Sequence, residues 1–108
     1  MALDNYPLLE VVVDVAAAGD NVIIAGTPGN TIRIFQLFLV LGGDTLLTFK
    51  DGPAIEFDGP LTMMKGGSIV LDENDPHWFK TSLGNDFIIN LSNPVQLSGR
   101  IYYVKSAP

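Results

Sequence analysis

The sequence predicts a single small all-β domain, an antiparallel sandwich of about eight strands, on three observations. Turn residues interrupt the chain at intervals of about 8–12 residues, the spacing of a sandwich or barrel. The runs between them are rich in β-branched and aromatic side chains, which suit a pleated, half-buried surface. No segment sustains the 3.6-residue period of an amphipathic helix.

The breaks fall at Gly19-Asp20, Thr27-Pro28-Gly29-Asn30, Gly42-Gly43-Asp44, Asp51-Gly52-Pro53, Asp58-Gly59-Pro60, Gly66-Gly67, Asn74-Asp75-Pro76, Gly84-Asn85 and Asn93-Pro94. Alternation between them assigns the buried faces. Phe87, Ile89 and Leu91 share one face, with Asp86 and Asn90 on the other. Ile55 and Phe57 are expected inward of Glu56 and Asp58, as are Ile69 and Leu71 around Val70, and Leu47 and Phe49 around Thr48. In the last strand Val95, Leu97, Ile101 and Tyr103 alternate with Gln96, Ser98 and Arg100. Each pattern is that of a half-buried antiparallel strand. Residues 1–7 carry no strand pattern and are expected to form a flexible arm, leaving 8–108 as the sandwich, of the jelly-roll kind.

Two places load both faces of a strand. In Thr31–Leu41, Ile32, Ile34, Phe38 and Val40 form one face, while Phe35, Leu37, Leu39 and Leu41 fill the other. Near the C-terminus Tyr102 and Val104 are apolar where Ser98 and Arg100 are polar. A covered central strand or a bulge that shifts register accounts for this. So does a second apolar face buried between subunits. The second account makes Phe35, Leu37, Leu39, Leu41, Tyr102 and Val104 candidates for an oligomer interface.

At 108 residues the chain suits one domain, and its 47% hydrophobic content supplies a core. Charged residues are 17%, below the roughly 25% usual in soluble domains, and mean hydropathy is positive. That balance favours surface destined for a partner. The net charge of −6 and the scattered bases exclude phosphate neutralisation, so neither nucleic acid nor an anionic membrane is an expected partner. With no cysteine there is no disulfide, thiolate metal site or cysteine nucleophile. No basic residue precedes the apolar stretch 8–18, which carries Glu10 and Asp14, so it lacks the pattern of a secretion signal. No apolar run is long enough to span a membrane as a helix.

The search for chemistry yields no catalytic residues. His77 is the single histidine, and no serine stands in a G-x-S-x-G context to use it. One histidine without cysteine also falls short of a transition-metal site, so no cofactor is expected. Asp72-Glu73-Asn74-Asp75 lacks the spaced oxygen ligands of a calcium loop. Asp51, Glu56 and Asp58 contain the two carboxylates a glycosidase needs, but acids on strand exteriors are common. Trp78 beside Phe79 either plugs one end of the sandwich or offers a stacking platform for sugar.

From Thr31 to Val104 the elements run in a distinctive order: the long apolar strand, Thr48-Phe49-Lys50, Gly59-Pro60-Leu61, Gly66-Gly67 with Ser68-Ile69-Val70-Leu71, then Trp78-Phe79, Asn90-Leu91-Ser92 and Val95 to Tyr103. This order resembles the small jelly-roll cement, or decoration, proteins of tailed bacteriophages and prophages. The resemblance covers about two thirds of the chain and brings no catalytic residues. It implies a virion structural protein that binds the outer surface of the capsid as a homotrimer and stabilises the shell. Its partner is the major capsid protein, and assembly takes place in the host bacterial cytoplasm. Leu3, Tyr6 and Pro7 in the arm are then candidates for capsid contact. A carbohydrate- or receptor-binding module of a phage fibre, using Trp78, is the alternative.

Overall fold

Turn chemistry and alternation give nine strands in the computed structural model, which describes residues 7–74 and 77–107. They are β1 (Leu9–Val15), β2 (Gly19–Ile24), β3 (Thr31–Leu41), β4 (Thr45–Asp51), β5 (Ile55–Met63), β6 (Ser68–Leu71), β7 (Phe79–Lys80), β8 (Phe87–Leu91) and β9 (Leu97–Ser106). Among the described residues there is no helix.

The pairing is nested and wholly antiparallel: β1 with β9, β2 with β8, β3 with β6, β4 with β5. Contacts of β9 with β3 and of β8 with β4 complete two sheets, ordered β1-β9-β3-β6 and β2-β8-β4-β5. The two-residue β7 adds to β3 off this path. With β7 set aside, this is a four-stranded ribbon folded back on itself, the eight-strand winding of a jelly roll.

The core lies between the sheets. Phe87, Ile89, Leu91, Leu97 and Ile101 are all 0% exposed, as their alternation predicts. Leu47 and Phe49 are buried, and Ile69 and Leu71 are half-buried around an exposed Val70. Phe49, Phe57, Phe79 and Phe87 meet with ring centroids 5.0–6.2 Å apart, and Phe79 reaches them from the sheet opposite the other three.

Gly19-Asp20 opens β2 and pairs with β8 instead of forming a turn. Two further expectations fail, each at an irregular pairing. Ile55 is exposed, not inward, because the β4–β5 register shifts on either side of Phe49. The same irregularity keeps Asp58-Gly59-Pro60 inside β5 instead of forming a turn. A proline is tolerated there because β5 is an edge strand.

The two-faced strand β3 is explained by a bulge. Ile34 pairs with Tyr103 and Gln36 with Tyr102, so Phe35 is an extra residue without a partner in β9. The extra residue switches the parity of the strand. Ile32 and Ile34 point into the core before it, and Leu37, Leu39 and Leu41 point into the same core after it. Leu37, Leu39 and Leu41 therefore belong to the interior of one chain, not to a subunit interface. Phe35 and Val104 are buried as well, both 1% exposed. Tyr102 alone of the six candidates stays half-exposed on the outer face, opposite Gln36 and Glu10.

Gly99 sets how closely β9 approaches β3. A Cβ there would fall on the Phe38 carbonyl oxygen and lie 3.0 Å from the Leu39 Cα. Both are backbone atoms of a central strand, which cannot swing aside. Gly99→Ala is expected to cost about 1–3 kcal/mol, the usual range for overpacking, read as a lower urea midpoint. An unchanged midpoint would show that the two strands do not approach this closely.

Candidate functional surface

The polar residues singled out in the sequence do not converge. Asp51 is buried at the end of β4, where its carboxylate accepts from the Ser82 amide at 3.0 Å, the Ser82 hydroxyl at 2.7 Å and the Asn85 side-chain amide at 3.0 Å. It is a loop clamp. Glu56 and Asp58 are exposed along β5 and share none of these bonds. Asp86 accepts from the Gly26 amide at 2.6 Å, so a second carboxylate at this end is also engaged in loop structure.

Between β6 and β7, the Asn74 side-chain amide donates to the His77 carbonyl at 3.0 Å, and the Trp78 indole N–H donates to the Asp72 carbonyl. The aromatic pair is split: Phe79 enters the core and Trp78 stays 43% exposed. Asp75 lies outside the described residues. Among those that are described, no group of three or more His, Asp or Glu side chains is placed to hold a metal ion.

A shallow depression of about 340 Å³ lies between β4 and β5, walled by Leu46, Thr62, Met63 and Met64. Its polar neighbours are already used. Asn93 donates its backbone amide to the Thr45 hydroxyl and its side-chain amide to the Asp44 carbonyl, and the Asp44 carboxylate accepts from the Lys65 amide. What remains is an apolar dent without a set of groups to orient a ligand, unlike most small-molecule sites.

The outer faces of the two sheets differ. On the β2-β8-β4-β5 sheet, Asp20 accepts from the Asn90 amide at 2.7 Å and from Lys50 at 3.0 Å, a polar knot across three strands. The Asn90 hydrogen bond lowers the Asp20 carboxyl from its ordinary value, burial works against it, and the Lys50 hydrogen bond and charge add to the lowering.

On the β1-β9-β3-β6 sheet, the register aligns Val12, Arg100, Phe38 and Val70 in one row across all four strands. Val12 is 64% exposed, Val70 63% and Phe38 45%, with Val40 next to them at 44%. Arg100 is the one cation of that row, and its Nε is buried with no hydrogen-bond partner among the described residues. The Tyr102 side chain, followed by the charge of Glu10, pushes the guanidinium further up from its ordinary value.

Sequence reasoning placed the second apolar face on the wrong parity of β3. The outward residues are Phe38 and Val40, not Leu37, Leu39 and Leu41. Val12 escaped notice because it shares its face of β1 with Glu10 and Asp14, whose charges mark the solvent side. Of the candidate capsid contacts, Leu3 and Tyr6 lie outside the described residues, and Pro7 is exposed just ahead of β1. No protein-family model, curated protein or solved structure matches the chain.

Proposed function

We propose that this chain is a virion structural protein, a cement protein that binds the outside of a phage capsid and stabilises the shell. The observation that carries it is the row of exposed Val12, Phe38 and Val70 on a broad sheet face, in a fold where Asp44, Asp51 and Asp86 are spent on its own loops. A surface of that kind works by area. A protein that bridges capsid subunits adds contacts that must be broken before the shell ruptures. The order of elements from Thr31 to Val104 supports the same assignment through its resemblance to decoration proteins. A homotrimer is the assembly that resemblance implies, but five of the six residues first assigned to its interface are inside the fold.

The test uses undecorated phage shells assembled from a major capsid protein. Purified protein is expected to sediment with the shells and to raise the temperature at which they disassemble. Failure to bind them would remove the cement function. Trp78 favours the sugar-binding alternative less strongly: it is half-exposed, but its indole N–H is already spent on the Asp72 carbonyl.

A further inference from the structure

We propose that the outer face of the β1-β9-β3-β6 sheet is a homotypic interface, on which a second copy of this chain packs face to face about a two-fold axis parallel to the strands. The axis runs between β9 and β3, the two central strands of the face. Such an axis reverses strand order and keeps the rows. It lays β1 over β6 of the second copy and β9 over β3.

The residues in register then meet suitable partners. Val12 lies over Val70, and Arg100 over the ring of Phe38, each contact occurring twice. Guanidinium on an aromatic face is a favourable pairing, more so when water is excluded. In the adjoining rows, defined by the same pairings, Ser98 meets Val40 and Tyr102 meets Gln36. The inclination of about 30° usual between packed sheets displaces the edge strands by less than one row.

Charge selects a second copy of this chain as the occupant. The chain carries a net charge of −6, so any self-contact must keep carboxylates apart. On this face the acids of the paired strands, Glu10 and Asp14, stand on β1, while β6 (Ser-Ile-Val-Leu) has none. The two-fold axis sets the acidic edge against the neutral one. Edge-to-edge pairing of β1 with its copy about Val12 fails on the same count, because Glu10 would face Asp14. The other sheet offers no comparable face, since its centre is held by Asp20, Asn90 and Lys50. Strands of 7, 10, 11 and 4 residues, at about 3.4 Å per residue and about 4.8 Å spacing, give roughly 520 Å² in projection. That is the scale of a standard interface, about 800 Å² of accessible surface per partner.

Sedimentation equilibrium at micromolar concentration, with variants at exposed positions, tests the axis and the register. The intact chain is expected to run at twice 11.6 kDa. Val70→Glu places a carboxylate over Val12 beside Glu10 and Asp14 of the second copy. It is expected to weaken the dimer at least about tenfold while leaving the melting curve of the monomer intact. Adding Val12→Lys to Val70→Glu is expected to restore the dimer. These two positions lie on opposite edges of one sheet, so their charges pair only between copies. A monomer or trimer for the intact chain, a Val70→Glu protein that still dimerises fully, or no rescue by Val12→Lys would each overturn the proposal. None of these results needs a shell, but the dimer buries the row on which the cement reading rests. A confirmed dimer therefore moves shell contact to another surface, and shell binding by the intact chain tests that reading separately.

Discussion

Phe49→Ala is expected to lower the unfolding free energy by about 3–5 kcal/mol, the range for emptying a phenylalanine from a packed core. Phe49 lies 5.0 Å from the ring of Phe79 and 6.1 Å from that of Phe87. Phe79 comes from the strand added to β3, whereas Phe49 and Phe87 lie on the opposite sheet. Removing Phe49 therefore opens a hole where the sheets are pinned together, and the β strands around it cannot collapse to fill it. Aromatic pairs of this geometry add roughly 0.5–1.5 kcal/mol beyond the area they bury. Typical domains are stable by about 5–15 kcal/mol, so the loss takes a large share of the total. Urea denaturation followed by the fluorescence of Trp78 measures it. A loss under about 0.5 kcal/mol, the range of an ordinary surface site, would show that the four rings do not form the core.

Legibility in the sequence followed local regularity. Strands β8 and β9 were readable because Phe87, Ile89 and Leu91, and Leu97 and Ile101, fall at alternate positions and are all buried, although Ile88 and Val104 on the other parity are buried too. Alternation fails wherever one residue is inserted. The extra Phe35 reverses the parity of β3, so its two halves present different sequence positions to one core. Within Thr31–Leu41 only Arg33 and Gln36, polar residues of opposite parity, bracket that insertion, and the apolar residues on both faces after it hide the change. The partner strand decides it, through the pairing of Ile34 with Tyr103 and Gln36 with Tyr102. The same holds for the candidate surface. Val12, Arg100, Phe38 and Val70 come from four strands far apart in sequence, and only sheet order and register bring them into one row.

Asp51 shows the same gap for polar residues, and it supplies the second large effect. By pattern it resembles the acids of β5 that follow it, yet it is 5% exposed while Glu56 and Asp58 face solvent. The difference lies thirty residues downstream, in the Ser82 and Asn85 donors that fold back onto it. That connection also holds the opposite end of β2, since the Gly84 amide donates to the Asn30 carbonyl and Asp86 accepts from Gly26. Asp51→Ala removes the acceptor and leaves three donors unsatisfied at a part-buried site. A bond to a charged group contributes about 1.5–3 kcal/mol, and an orphaned donor adds its own desolvation cost, so the expected loss is on the order of 4 kcal/mol. Asp51→Asn keeps the shape and one acceptor oxygen, but turns an amide toward the donors, and is expected to fall between the two. Denaturant midpoints rank the three proteins, and hydrogen exchange at the Ser82 amide localises the effect. The amide is expected to lose protection in Asp51→Ala well before the β8 amides do. Equal midpoints for all three, or Ser82 protection unchanged by the alanine, would show that the clamp does not hold this end of the sandwich.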